Sequence, residues 1–377
     1  MDFLKEYERI RPYNDSEVSE AISRLLKDER FENVIAFLYG ENNIQKVINE
    51  IKEIKTINGF QDVFSHYAVR EVIRKTSGGL SFSGLNELDP NKSYLFIANH
   101  RDIVLDSAIM QILLVENNHK TSQITFGSNL MSSDFVVDLG KLNKMFTFAR
   151  GGSRIQMYKN ALLHSEYIKT VITKKKESIW ISQRDGRTKD GNDKTQLSLL
   201  KMLLMGKDDP YIALKELNIV PVSISYEYEP CDSEKVQEQY ITNHGKYIKE
   251  KNEDLNSVLK GITSNKGKIH MAFGNTLNSE ILTCENEGVQ VNEMLEQLTN
   301  SIDKQIYENY KLNPLNYIAL DLLNNSVGYL GDKYEEADIV RFKDYVLNKS
   351  SLLKGNVEEL KIDFYKMYAN PLKNKHV

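Results

Sequence analysis

Tyr94-Leu-Phe-Ile-Ala-Asn-His-Arg-Asp-Ile-Val-Leu-Asp106 joins an apolar run to a polar cluster and then turns apolar again. The run from Tyr94 to Ala98, closed by Asn99 and Asp102, predicts a buried strand that ends at a sheet edge. The segment from Ile103 to Val115 predicts a helix, with Asp102 as its N-cap. His100 therefore falls on a strand-to-helix turn, with Asp102 two residues on and Asp106 six residues on. A histidine held by a carboxylate is the smallest unit that draws a proton from a hydroxyl near neutral pH. The stretch alone also fits a capping aspartate beside a surface histidine, so the rest of the chain decides.

Outward from this stretch the same plan recurs. Gln123-Ile-Thr-Phe-Gly-Ser-Asn129 predicts a strand ending in a small polar turn. Lys144-Met-Phe-Thr-Phe-Ala-Arg-Gly-Gly-Ser-Arg154 predicts a strand, a glycine turn flanked by arginines, and a helix to about Thr173. Glu177 to Ser182 predicts a strand that enters the charged loop Gln183 to Thr195, and the apolar segment Leu197 to Met205 predicts a helix. Ile219 to Tyr226 and Lys268 to Gly274 complete the strands, with a first short one at Leu80 to Gly84. Upstream, Ser16 to Leu26, Phe31 to Leu38, Ile44 to Ile57 and Phe64 to Lys75 carry helical spacing. Residues 290–377 are again helical in pattern and end in a polar tail. Strands alternating with helices predict an α/β fold, a mixed central sheet flanked by helices, with polar turns collected at one edge. The expected division is a helical N-terminal region at 1–78, an α/β domain at 79–280 and a helical C-terminal region at 281–377.

Composition narrows the function classes. A net charge of −4 gives no general attraction to nucleic acid or anionic membrane, so any phosphate recognition must be local. Cys231 and Cys284 lie far apart and match no disulfide framework or metal spacing, which suits a reducing compartment. The start, Met-Asp-Phe-Leu-Lys-Glu, lacks a signal peptide's basic and apolar regions, and no apolar stretch approaches the ~20 residues of a membrane span. A cytoplasmic protein is expected, with contact to a membrane surface still open.

Three strand-leaving turns carry the chemistry. The first holds His100, Asp102 and Asp106, with Asn99 and Arg101 in support. The second is Arg150-Gly151-Gly152-Ser153-Arg154, where glycines admit an anion, a helix N-terminus offers free N–H groups and guanidiniums grip phosphate. The third holds Arg184, Asp185, Gly186 and Arg187. Gly186 and Gly191 followed by Lys194-Thr195 miss the phosphate-loop pattern, because the lysine comes two positions late. No G-x-S-x-G elbow is present, which argues against a serine hydrolase, and the remaining histidines form no metal spacing.

In order, these blocks resemble the glycerol-phosphate acyltransferase superfamily over roughly residues 80–275. Asn99-His100 through Asp106 resembles its Asn-His-x4-Asp block, and Phe146 to Arg150 its aromatic strand ending in Arg. Trp180 to Arg187 resembles its strand into an acid-Gly-x-Arg turn, with Gln183 an alternative match. Ile219 to Tyr226 is similar to its strand with Pro, and Phe273-Gly274 to its late Phe-Gly. One departure is that five residues, not four, separate His100 from Asp106. Either Asp106 still pairs with His100 across a bulged turn, or Asp102 takes the role; the capping job of Asp102 favours Asp106.

The resemblance implies a glycerolipid acyltransferase-like fold and an O-acyltransferase. His100, oriented by Asp106, would deprotonate a glycerol hydroxyl, while Arg150, Arg154 and Arg187 hold the acceptor's phosphate. The implied acceptor is glycerol-3-phosphate or 1-acylglycerol-3-phosphate, and the donor acyl-CoA or acyl carrier protein, a co-substrate with no bound cofactor or metal. Partners would be these substrates and the cytoplasmic face of a membrane, with no nucleic acid. The rival expectation is a catalytically silent acyl-CoA- or phospholipid-binding protein on the same fold, for which the altered spacing argues.

Overall fold

The computed structural model describes residues 3–131, 133–149, 151–250 and 252–376. It begins with α1 (Phe3–Ile10), α2 (Asp15–Leu25), α3 (Glu29–Tyr39), α4 (Ile44–Lys52), α5 (Ile57–Phe60) and α6 (His66–Thr76). Apolar residues at helical spacing, among them Val18, Ile22, Phe31, Ile35, Ile51 and Phe60, close a core of their own that also takes Leu142. The single helix expected over 44–57 is two. The chain leaves the helix after Lys52, and the Thr56 hydroxyl then accepts the Gly59 N–H at 3.0 Å to start α5.

Seven strands follow: β1 (Leu80–Ser83), β2 (Leu95–Ala98), β3 (Gln123–Gly127), β4 (Met145–Phe148), β5 (Ile179–Ser182), β6 (Ile219–Tyr226) and β7 (Ile269–Phe273). They form one mixed sheet in the order β1-β7-β6-β2-β5-β3-β4. Only the β6–β7 pairing is antiparallel, so β2 to β6 run one way and β1 and β7 the other. The C-terminal ends of β2, β4, β5 and β6 therefore share an edge, where open α/β sheets place their ligands.

The connecting and later helices are α7 (Leu105–Glu116), α8 (Asp134–Leu142), α9 (Arg154–Thr170), α10 (Leu197–Leu203), α11 (Pro210–Lys215), α12 (Asp232–His244) and α13 (Glu253–Thr263). They continue as α14 (Asn278–Asn286), α15 (Val291–Asn309), α16 (Pro314–Asn324), α17 (Glu336–Ser350) and α18 (Val357–Lys375). Alternation along the strands divides the sheet's apolar residues between two cores. Leu95, Ile97, Ile179 and Ile219 pack with Leu163 of α9, Leu200 of α10 and Leu298 and Ile302 of α15. Phe96, Trp180, Val220 and Val222 pack with Ile109, Met110 and Leu113 of α7. Helices on both faces explain why β2 and β6 are buried at every position. The architecture is thus the expected α/β fold with a mixed sheet, flanking helices and helical terminal regions.

Two differences from the sequence patterns matter later. Segment 227–267, given no element from the sequence, folds into α12 and α13, the second with Leu255, Val258, Leu259 and Ile262 at helical spacing. In α12 Val236 is the only buried apolar residue, beside a buried lysine, so no stripe was visible. The polar tail is instead the end of α18, whose Leu360, Phe364, Met367, Tyr368 and Leu372 are buried.

Pro221 lies inside the central strand β6, where a residue without an N–H is ordinarily excluded. The β6–β7 ladder ends at Val222 opposite Phe273, and Pro221 contributes only its carbonyl, to the Gly274 N–H at 2.8 Å. A Cβ at Gly274 would sit 2.2 Å from Gln305 Oε1 of α15, which accepts the Asn275 N–H at 2.8 Å, so that side chain would have to give up the bond to make room.

Candidate functional site

The turn after β2 is locked before it reaches the histidine. The Asn99 N–H donates to the Val222 carbonyl at 3.2 Å. Its side chain then does what another backbone rung would do. Oδ1 accepts the Ile224 N–H at 2.7 Å, and Nδ2 donates to the Ile224 carbonyl and to Asp193 Oδ2, each at 3.0 Å. Asn99 is fully buried, so these bonds are not exchanged for water.

His100 Nδ1 lies 2.9 Å from Asp106 Oδ2. The same oxygen accepts the backbone N–H groups of Arg101 at 2.6 Å and Asp102 at 2.9 Å, and Oδ1 accepts the Tyr226 hydroxyl at 2.8 Å. A carboxylate only accepts, so it fixes the proton on Nδ1 and leaves the Nε2 lone pair of neutral His100 outward. Burial and then the Asp106 charge hold the Tyr226 phenol well above its ordinary range, so it remains a donor. The Trp180 ring meets the imidazole edge-on, with centroids 5.6 Å apart, and 13% of the His100 side chain stays exposed. A small substrate group can therefore reach the ring.

The five-residue spacing has a local cause. Asp102 Oδ1 accepts the N–H groups of Val104 at 3.0 Å and Leu105 at 2.8 Å, so α7 begins at Leu105 rather than at Ile103. The turn absorbs the extra residue, and Asp106, in the first turn of the helix, points back over it. Asp102 is therefore not the expected N-cap, a position that Val104 takes; it closes the turn ahead of the helix and has no bond to His100. Its Oδ2 is buried without a partner among the described residues, and burial and then the Asp106 charge push its pKa above the ordinary carboxylate range. Gly261 of α13 presses on that atom; a Cβ there would lie 2.2 Å from it.

Arg101 turns inward instead of facing ligand. It is 1% exposed, with Nη1 2.9 Å from Glu229 Oε2, Nη2 on Asp193, and its guanidinium 5.1 Å from the Tyr310 ring centroid. Lys235 of α12 donates to Glu229 Oε1 at 2.5 Å and to the Arg101 carbonyl at 2.7 Å. Two buried cations thus meet two buried carboxylates directly behind the histidine. Sequence reasoning missed Asp193, Glu229, Lys235 and Tyr310; the loop charges around Asp193 were the one available signal.

The loop after β5 is tied to the same turn, since the Thr188 N–H donates to the His100 carbonyl at 3.0 Å. Gly186 (φ +72°) and Gly191 (φ +76°) let it double back. At Gly191 a Cβ would lie 2.1 Å from the Met367 carbonyl of α18, and Asn370 of α18 donates to the Asp190 carbonyl at 2.8 Å. The positive charge of Arg187 reaches Asp102, and its Nη1 is buried with no partner among the described residues. Gln183 Nε2, Arg184 Nε and Trp180 Nε1 are buried and unpaired in the same way. Each such donor costs about 1–3 kcal/mol unless something accepts from it. Asp185 is exposed at the tip, and its N–H donates to Gln196 Oε1 at 2.8 Å.

Arg150 lies outside the described residues. Gly151 and Gly152 follow with φ of +72° and +103°, and the Ser153 hydroxyl caps α9 by accepting the Gln156 N–H at 3.3 Å. Arg154 is exposed at the head of α9. Among the described residues no hydrogen bond or ion pair joins this turn to the His100 turn; the two share the sheet edge. The structure thus brings together His100, Asp106, Asp102, Asn99, Arg101 and the Arg187 loop, and leaves Gly151, Gly152, Ser153 and Arg154 as a neighbouring group. A cavity of about 580 Å³ opens at the opposite edge, near Tyr13, His119, Lys120 and Lys144, but its lining holds no base paired in this manner. Among the described residues no group of three or more His, Cys, Asp or Glu is placed to hold a metal ion.

No protein-family model matches the chain, and no curated protein matches it either. Among solved structures it is similar to the crystal structure of the 1-acyl-sn-glycerophosphate (LPA) acyltransferase PlsC from Thermotoga maritima. The two are 12% identical over 76% of this chain and 93% of that chain, with a TM-score of 0.36. A likeness this loose carries no argument, and the chemistry of the site rests on the chain's own residues.

Proposed function

We propose that the protein is an O-acyltransferase that moves a fatty acyl group from a thioester to the hydroxyl of a glycerol-phosphate acceptor. The observation that carries this reading is His100, bound through Nδ1 to Asp106 with its side chain 13% exposed, beside the unpaired donors of the Arg187 loop. Nε2 takes the acceptor's hydroxyl proton as its oxygen attacks the thioester carbonyl. The tetrahedral intermediate collapses, the C–S bond breaks, and the imidazolium returns the proton to the leaving thiolate. Asp106 steadies the imidazolium between these steps. No acyl-enzyme is needed. Arg187, with Arg154 and Arg150 of the neighbouring turn, would hold the acceptor's phosphate and aim its hydroxyl at His100. The acceptor is glycerol-3-phosphate or 1-acylglycerol-3-phosphate, and the donor acyl-CoA or acyl carrier protein.

Among the described residues no helix is long and apolar enough to cross a membrane. The head of α9 exposes Ile155, Met157 and Tyr158 beside Arg154, an amphipathic turn suited to resting on a lipid surface. Peripheral contact at the cytoplasmic face is therefore part of the proposal.

The test is transfer of labelled palmitate from palmitoyl-CoA and palmitoyl carrier protein to each acceptor, by wild type, His100→Ala and Asp106→Asn. Transfer by wild type that falls at least a hundredfold in both variants is the expected result. Equal turnover in His100→Ala, or no transfer by folded wild type to either acceptor, would sink the proposal.

A further inference from the structure

Ser81 of β1, His270 of β7 and Ser225 of β6 stand opposite one another in register across three adjacent strands. Residues in register project from one face of a sheet. Tyr226, the next residue on β6, projects from the other face, where it holds Asp106. The Ser-His-Ser row thus lies across the sheet from His100. It borders a cavity of about 210 Å³ lined also by Gly78, Lys268 and Lys311. That is room for about seven waters' share of liquid volume, enough for a phosphate and part of its carrier.

The lining contains two lysines, an imidazole and hydroxyls, and no carboxylate. Glu227, just past β6, accepts the Lys268 backbone N–H at 2.9 Å and does not line the cavity. Lys268 and Lys311 are exposed, and neither has an acid partner among the described residues. Exposed lysines alone are ordinary surface. What sets this place apart is the half-buried His270 between them, with Nδ1 2.9 Å from Ser81 Oγ and Nε2 3.2 Å from Ser83 Oγ. The positive groups converge on a recess and leave no counter-charge within it.

We propose that this cavity binds a phosphate monoester dianion, or free phosphate, through Lys268, Lys311 and the Ser81 hydroxyl, with the Ser225 hydroxyl held by the His270 carbonyl at 3.4 Å. The inference does not depend on the acyl-transfer reading, because none of these residues belongs to the His100 site. Burial and then the Lys311 charge press the imidazole down to about 4, so His270 is neutral near pH 7. The charged groups around it are Lys311 from the segment after α15 and Lys268 just before its own strand, with Glu227 outside the recess. An entering dianion offsets the lysines and lets His270 take up a proton. Both ring N–H groups then donate to Ser81 and Ser83, and the Ser81 hydroxyl hydrogen is freed to turn to the anion.

Calorimetry of the full chain tests this with inorganic phosphate, with coenzyme A as a carrier of phosphate monoester, and with sulfate as a dianion that does not titrate. Wild type is expected to bind, and the Lys268→Gln/Lys311→Gln pair to bind at least tenfold more weakly while unfolding at the same temperature. Sulfate binding near pH 5.5 should take up a fraction of a proton, read from heats in buffers of different ionisation enthalpy, and His270→Gln should abolish the uptake. Coenzyme A binding tighter than phosphate, and weakened by the lysine pair, would assign a carried phosphate; equal affinities would assign the free ion. No heat from wild type at millimolar ligand, or binding indifferent to both lysines, would overturn the proposal.

Discussion

Asp106 receives four donors, the His100 ring, the Arg101 and Asp102 backbones and the Tyr226 hydroxyl, so one side chain sets both the tautomer of the base and the shape of its turn. Asp106→Asn brings an amide against N–H groups and should lower kcat by about 10²–10⁴. Asp102→Asn keeps the accepting Oδ1 and removes a poorly solvated charge, so its kcat should stay within a few-fold of wild type; steady-state acyl transfer compares the two. Behind the histidine, Lys235→Met would leave Glu229 with one cation fewer in a buried site. The expected loss is about 3–5 kcal/mol in urea unfolding. The His100–Asp106 pair was legible in the sequence because seven residues at a strand–helix junction contain all of it. Asp193, Glu229 and Lys235 were not, because each sits among polar neighbours and looks like solvated surface until α12 and the 183–195 loop close over Arg101.

At the scale of elements, two packings carry consequences for the site. Helix α13 meets Asp102 through Gly261, where no side chain fits. Gly261→Ala should displace Asp102 or the helix, costing about 1–3 kcal/mol in denaturant unfolding and lowering kcat together with stability. Helix α9 is seated on β4 by His164, which is 1% exposed, stacks on Phe148 at 4.0 Å and accepts the Ala149 N–H at 3.3 Å. Burial lowers its pKa to about 4. The folded state therefore favours the neutral ring, and this contribution is complete above the unfolded value of about 6.5 and drains away as pH falls towards 4. Unfolding free energy measured from pH 7 to 4 should decline across that window, and His164→Gln should flatten this part of the decline. The strands and most sheet-flanking helices were visible as periodic apolar runs. The break at Thr56 and helix α12 were not, since a single cap and a nearly stripe-free helix leave little periodicity to read. Helices α8, α11, α13 and α14 also fall outside the sequence reading, although Leu255, Val258, Leu259 and Ile262 of α13 keep helical spacing.

Across the whole molecule, the alternation of strands and helices announced an α/β sheet, but the order of its strands and the reversal of β1 and β7 come from long-range pairing that no local pattern encodes. The same holds for the seat of the Arg187 loop, which is shaped by α18 far along the chain. Gly191→Ala, with φ at +76° and the Met367 carbonyl in the way, should cost about 1–3 kcal/mol. By shifting Arg187 it should also raise KM for the phosphate-bearing acceptor more than it lowers kcat.

That seat also decides how the site comes apart. The 183–195 loop is clasped from α18 by the Met367 carbonyl above Gly191 and by Asn370 on the Asp190 carbonyl, whereas Asp106 holds the histidine together with Tyr226 of β6. Local opening of α18 would therefore unclasp the anion loop and leave the base assembled. Fraying of one distant helix would loosen the hold on an anion long before it touched the proton chemistry.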